Sequence, residues 1–436
     1  MLDKTLFPLG EPPPKTALPG GTPRVQAPVR NQVEFVQSDL DGLIEDDHQV
    51  RVVWAFVEAA DLSALYEPIR AFEGRAGRTP IDPRILLALW LYATLRAVGS
   101  ARQLDQLCIE HIAYRWLCGG VPVNYHTLAD FRSESGGILE RMMIGHIAVL
   151  RAAGLVTMDR VAHDGVRVRA SAGTGSFRGK ETLEAMRKEA EEQVAALRQE
   201  LHDNPKGSSA RQKAARTRAA KEQFESVQAA LKQLPDVEAK KKDKKKKARV
   251  STTDADARNM KMPNGGFNPA YNVQLAADTG SQIIVGSDVS QCGSDHALLV
   301  PAAETVKEQS GCAPKDMLVD GGFGKPESVE SLSKDGITVY APPTEYKDKD
   351  GKVLEPKQDE TPAVKAWRER MKTEEAKAVY KERAATIECV NALARNRGLQ
   401  QFRVRGLRRV RAVVLLFVLV HNLMRAESLK QKALSG

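Results

Sequence analysis

The period of the apolar residues changes several times along this chain, and the changes outline its architecture. From about 33 to 150 the spacing is helical. Val52, Val53, Phe56 and Val57 fall on one helix face, with Leu62 and Leu65 beyond a polar break. Pro83 can open a helix at its first turn, and Ile85, Leu86, Leu89, Leu91 and Leu95 carry that helix towards Gly99. Ser100 is placed to cap the next helix, with Gln103 completing a capping box. Beyond Gly119 and Gly120, Thr127 offers another cap. Short helices joined by tight turns predict a small all-helical domain over 33–150.

Near 156 the texture becomes that of strands. Val161, Val166 and Val168 alternate around Asp164. Between 178 and 250 the helical period returns. Leu183, Met186, Ala190, Val194, Leu197 and Leu201 step by three or four, then Phe224, Val227, Leu231 and Leu234 repeat the spacing after a turn at 202–210. This predicts an antiparallel helical hairpin, ended by Pro235 and followed by a Lys-rich linker at 240–247. Strand texture resumes at 271–276, turns at Asp278-Thr279-Gly280 and continues through Ile283, Ile284 and Val285. A helix is expected from Asp295 to about Glu308. A short strand at Met317, Leu318 and Val319 then runs into Asp320. Another helix begins near Pro326, a further strand holds Ile337, Val339 and Tyr340, and helices fill the rest to about 430. Strands interleaved with helices make a mixed α/β core of 156–177 and 268–430, interrupted by the hairpin. Residues 1–32, rich in Pro and Gly, have no apolar period and read as a disordered arm.

The 436 residues carry a net charge of +9, which suits an anionic partner without naming one. Five cysteines without a CxxC pair make a disulfide framework or structural zinc site a poor expectation. No basic-then-apolar signal opens the chain, and the run Val413 to Val420 is far short of the roughly 20 residues of a membrane span. A soluble, intracellular protein with no membrane partner is expected. No Walker loop, GxGxxG fingerprint or Ser-His-Asp grouping is present.

Two carboxylates stand out. Asp164 and Asp320 each end or interrupt an apolar strand and precede a glycine. Each could face a cleft and bind a cation, or merely cap a turn. Glu388 lies on an expected helix, where a surface pair with Arg383 or Lys381 is the plainer reading. Arg395, Arg397, Arg403, Arg405, Arg408, Arg409 and Arg411 follow it, and arginine forks suit phosphate oxygens. His163, beside Asp164, reads as a partly buried polar residue.

Four stretches together resemble a known family. They are Thr79–Pro83 through Phe131-Arg132; His163-Asp164-Gly165; Tyr271-Asn272-Val273-Gln274 with Val319-Asp320-Gly321-Gly322-Phe323; and Tyr380-x-x-Arg383 with Glu388, Arg395, Arg405-Gly406-Leu407 and His421-Asn422-Leu423. In this order they are similar to bacterial insertion-sequence transposases of the Asp-Asp-Glu type. Three positions depart from the usual pattern. Phe323 stands where tyrosine is usual, Asn391 where an aromatic is usual, and Arg395 where lysine is usual.

The resemblance implies an RNase H-like core, a mixed five-stranded sheet flanked by helices, behind a helical domain that binds DNA ends. It implies Asp164, Asp320 and Glu388 as catalytic metal ligands for magnesium, with manganese as a substitute and two ions in all. It implies Tyr380, Arg383, Arg395, Arg403 and Arg405 as DNA-binding residues. The partners would be double-stranded DNA, at terminal inverted repeats and at the target, and a second copy of the chain in the DNA complex. The location would be the bacterial cytoplasm, at the nucleoid. A nuclease with the same core and no strand transfer, or an inactive DNA-binding derivative, are the alternatives.

Overall fold

The computed structural model describes residues 39–72, 79–203, 209–240, 247–343 and 360–435. The arm at 1–32 and most of the Lys-rich linker lie outside these residues. Seven helices come first: α1 (Gln49–Ala59), α2 (Ser63–Tyr66), α3 (Pro83–Leu95), α4 (Ala101–Glu110), α5 (Ile112–Cys118), α6 (Tyr125–Glu134) and α7 (Gly136–Ala152). Ten residues of α3 are buried, so this helix is apolar nearly all round and fills the middle of the helical region.

Local capping differs in two places from the sequence expectation. Ser100 accepts from the Gln103 amide, but only this half of the expected capping box forms. The cap of α6 is Asn124 and not Thr127. The Asn124 side chain accepts from the His126 and Thr127 amides, leaving Thr127 as the third helical residue.

The sheet is mixed and six-stranded. Its members are β1 (Arg160–Arg169), β4 (Arg258–Lys261), β5 (Phe267–Asp278), β6 (Ile284–Ser290), β7 (Asp316–Leu318) and β8 (Thr338–Tyr340). The order is β4-β5-β1-β7-β8, with β6 also paired to β5. Both β4 and β6 pair antiparallel with β5, over different stretches, as does β1 along its length. β7 joins β1 in parallel, and β8 joins β7 in parallel. The expected five strands become six because β4 is a four-residue strand with one buried residue, too short to show alternation.

The insertion contains α8 (Lys180–Asp203) and α9 (Ala210–Ala239), tied at their base by the two-stranded pair β2 (Phe177–Arg178) and β3 (Val250–Ser251). Leu183 packs with Val227, Ala230 and Leu234 in a separate small core. Near the other end Arg216 pairs with Glu200 at 2.8 Å, as antiparallel helices require. Pro235 does not end α9, which runs one turn further. A proline so near the C-terminus leaves few turns beyond it to disrupt.

The remaining helices are α10 (Leu299–Ser310), α11 (Pro326–Lys334), α12 (Pro362–Arg370), α13 (Glu374–Arg383), α14 (Cys389–Asn396) and α15 (Leu407–Ser435). A π-helical turn, Ala384–Glu388, joins α13 to α14. α15 packs against α3, α7 and β6, so the helical region and the sheet share one continuous apolar core. By length and composition α15 could cross a membrane, but 67% of its apolar window is buried inside the protein. His421 and Asn422 anchor it. Asn422 accepts from the Ile284 amide and donates to the Ile284 carbonyl, both at 2.8 Å, while His421 Nε2 meets the Gln282 carbonyl. These contacts satisfy main-chain groups that the outermost long strand would otherwise expose.

Candidate active site

The parallel seam between β1 and β7 positions the two aspartates. Arg160, Val161 and Ala162 pair with Asp316, Met317 and Leu318. Carried on by two residues, that register sets Asp164 level with Asp320. Asp164 lies in the middle of β1 rather than near its end. It can do so because β7 stops at Leu318 and leaves that side of β1 open. Beyond β7 the Val319 amide still donates to the Tyr340 carbonyl, and Asp320 is the first residue past the ladder. Its Oδ1 accepts from the Gly322 amide at 2.8 Å, so Asp320 both opens a turn and presents a carboxylate at the strand end.

Asp164 is held tightly. Its Oδ1 accepts from the Gly165 amide at 2.9 Å and its Oδ2 from Asn391 Nδ2 at 3.0 Å. Arg383 Nη2 stands 3.4 Å from the same Oδ2, while Arg383 Nη1 lies 3.2 Å from Glu388 Oε1. One nearly buried guanidinium therefore bridges the first and third acids. Glu388 itself is largely exposed, and its pairing with Arg383 is the surface-type contact that its sequence neighbourhood allowed.

Burial pushes the Asp164 carboxyl up to about 6. Arg383 and the Gly165 amide oppose that shift, and Asp320 and Asp295 add to it. Burial likewise raises the Tyr380 phenol. Arg383 lowers it, while Asp320, Asp164 and Glu388 raise it. Tyr380 thus feels all three acids, so the chain gathers Asp164, Asp320, Glu388, Tyr380 and Arg383 into one electrostatic neighbourhood.

The other candidate cations lie elsewhere. Arg395 is exposed near the end of α14. Arg403 and Arg405 sit beyond the far end of β1, where Arg405 Nε donates to the Ser171 carbonyl and Arg403 shares a cavity wall with Arg169. Asn391 had been visible only as a departure from a family pattern. Its spacing from Glu388, three residues along a helix, was the signal that both share a face.

The opposite face of β1 is occupied by a packed polar group. His163 is fully buried, with Nε2 2.9 Å from Gln274 Oε1 and its ring edge-on to Phe323. Burial lowers its imidazole to about 4, so it is neutral at pH 7. Arg167 pairs with Asp295 at 2.9 Å, and Asp295 accepts from Asn272.

Hard oxygen donors of this kind suit magnesium or manganese. Asp164 is also a partly buried carboxylate whose neighbours include further acids, so a cation there would relieve an electrostatic cost. Among the described residues, though, no three acidic, histidine or cysteine side chains converge closely enough to hold an ion. Arg383 lies among the acids instead.

The site thus joins a mixed α/β sheet carrying Asp164 and Asp320 to Glu388 in the adjoining π-helical turn, through the Arg383 guanidinium. Comparison with known families gives the particular assignment. A transposase domain model (DUF772) matches residues 38–134, and a transposase DDE domain model matches residues 344–426. Together these matches support an insertion-sequence DDE transposase. No curated protein and no solved structure matches it.

Proposed function

We propose that this transposase cuts DNA at the ends of an insertion sequence and joins it to target DNA, with Asp164, Asp320 and Glu388 as the acidic triad. The observation that carries the reading is the parallel pairing of β1 with β7, whose register continued by two residues would set Asp164 beside Asp320, with Arg383 reaching from Asp164 to Glu388. The strand order supports an RNase H-like core. With β4 and β6 on one flank of β5, the sheet reads as three antiparallel positions followed by two parallel ones.

Asp164, Asp320 and Glu388 are the residues that would hold divalent cations, magnesium first and manganese in its place, two in number. Such ions activate the attacking oxygen and stabilise the leaving one. The chain's own groups do the remainder. Gly165 and Asn391 fix the Asp164 carboxylate against rotation. Arg383, released from two carboxylates once these are neutralised, presents a planar fork to a phosphate. Tyr380 offers its phenol beside the same point, and Arg395 extends the basic surface along α14. The helical region would recognise terminal inverted repeats, with a second copy of the chain in the complex, in the bacterial cytoplasm at the nucleoid.

Duplex carrying the element's own end supplies the test. Asp164→Asn should abolish magnesium-dependent cleavage and strand transfer while leaving end binding intact. Cleavage that survives in this variant would remove the triad reading. Cleavage by the unaltered chain without joined product would reduce the protein to a nuclease.

A further inference from the structure

A sizeable cavity lies away from the carboxylates, in the seam between the helical region and the sheet. It has a volume of about 740 Å³, within the usual range for small-ligand sites. Its walls come from the α3–α4 junction, from α6, from the end of β1 and from the α14–α15 connection. Among the described residues five arginines line it, Arg102, Arg132, Arg169, Arg397 and Arg403, and no aspartate or glutamate does.

Two of these arginines are built in. Arg132 is 7% exposed, stacks over the Trp90 ring at 4.1 Å and donates Nη1 to the Gly99 carbonyl at 2.7 Å. Its Nε is buried without a hydrogen-bond partner, and so is Nη1 of Arg397. Burial alone lowers the Arg132 guanidinium, to about 10, and burial alone lowers that of Arg397. No facing carboxylate offsets either. Burying a charge without a counter-charge is costly, and here it holds fully for Arg132 and in part for the half-buried Arg397. The cavity also meets the start of α4, where Ser100, Ala101 and Arg102 line it. The first amides of a ten-residue helix have no intrahelical partners, and the helix dipole favours an anion there. Arg102 lies over the Tyr125 ring at 5.1 Å, which keeps its guanidinium at the rim.

We propose that this arginine-lined cavity is a phosphate site, in which Arg132 and Arg397 with the start of α4 hold one phosphate group. The group is a backbone phosphodiester of DNA lying across the seam. That choice of source rests on the transposase reading; the anion site itself does not. Arg169 is five residues from Asp164 on the same strand, roughly 17 Å at strand rise. The phosphate held here is therefore a few nucleotides from the one that reacts. It ties the helical region and the carboxylate centre to a common stretch of backbone.

The test uses the full chain and the variants Arg397→Gln and Arg102→Gln. Thermal unfolding is followed in inorganic phosphate and in chloride at equal ionic strength. In parallel, binding to a duplex of arbitrary sequence is measured across a salt series. Phosphate should raise the melting temperature of the unaltered chain and raise it less in both variants. The slope of log affinity against log salt should become shallower by about 0.9 in each, one phosphate contact's worth. A matching melting temperature in chloride shows that the variants are folded. The slope change assigns the site to DNA backbone, and a lost phosphate response with an unchanged slope assigns it to free phosphate. Variants that equal the unaltered chain in both measurements overturn the site. Neither arm requires catalysis, so that failure would leave the triad reading untouched.

Discussion

Asn391 donates its side-chain amide to Oδ2 of Asp164 across 3.0 Å, joining α14 to the middle of β1. It is 3% exposed, and its other polar atom, Oδ1, is buried without a partner. A residue in so costly a position stabilises the charged form of the carboxylate it faces. Removing it with Asn391→Leu should let Asp164 titrate higher. A hydrogen bond to a charged group contributes about 1.5–3 kcal/mol, so the acid limb of the cleavage profile should move up by about one to two pH units. A pH–rate series on the variant checks this, and a profile superimposable on the parent's would deny Asn391 the role.

Asp164 should also weaken the fold when no cation is present. Its carboxyl stands at about 6 in the native state against an ordinary 3.8, so the native protein holds a proton that the unfolded chain has released. Stability attributable to this group is therefore highest at low pH and is lost as pH rises from about 4 through 6. Asp164→Asn should raise unfolding free energy by on the order of 2–3 kcal/mol at pH 8 in chelator, with the gain vanishing near pH 4. Denaturant melts at several pH values read it directly. Magnesium should then stabilise the unaltered chain and not the variant.

Three histidines act in the opposite direction. Burial lowers His146, His163 and His421 each to about 4, from 6.5. Between those values the unfolded chain binds protons that the native protein refuses. Their contribution is complete above about 6.5 and is lost as pH falls towards 4. Three such groups outweigh the single aspartate, so net stability should fall on acidification over this window. Because Asp164→Asn removes an opposing term, the variant should lose stability more steeply. Equal slopes for variant and parent between pH 6.5 and 4 would contradict the assignment.

Gly165 is required for space. A Cβ there would stand 2.5 Å from Gln274 Nε2, 2.8 Å from Asn272 Oδ1 and 2.9 Å from Asp295 Oδ1. These atoms belong to the packed polar group behind β1 and cannot all withdraw. Gly165→Ala should cost about 1–3 kcal/mol of stability, as overpacking does. It should also depress cleavage by tilting the neighbouring Asp164. Unfolding free energy within experimental error of the parent's would show that the cluster can yield.

Much of this arrangement was legible beforehand, for identifiable reasons. β1 and β5 show because they are long and bounded by turn residues, and the hairpin shows because its helical period persists over many turns. The aspartates show because a charge inside an apolar strand conflicts with its surroundings. Glu388 carries no such conflict, since an exposed helical glutamate beside an arginine is ordinary, and only the wider motif singles it out. β4 was invisible at four residues. The fusion of the helical region with the sheet along α15 was hidden too, because no local pattern says what a buried helix packs against. The unpartnered arginines were hidden for the same reason. Arg132 and Arg397 are 265 positions apart, and only folding shows that they share one cavity lined by no acid among the described residues.

The π turn at Ala384–Glu388 bears on how this chain can change over generations. A π turn closes its hydrogen bonds one residue further along than an α turn. It therefore lets Arg383 and Glu388, five positions apart, meet at 3.2 Å, where a regular helix would bring together residues three or four apart. Deletion of one residue among 384–387 would let the turn relax to regular winding with Arg383 and Glu388 four positions apart, still neighbours on one face. A change of one residue in length is therefore something this stretch can absorb, because the wide turn takes up the extra residue and hands the same face on to the next helix.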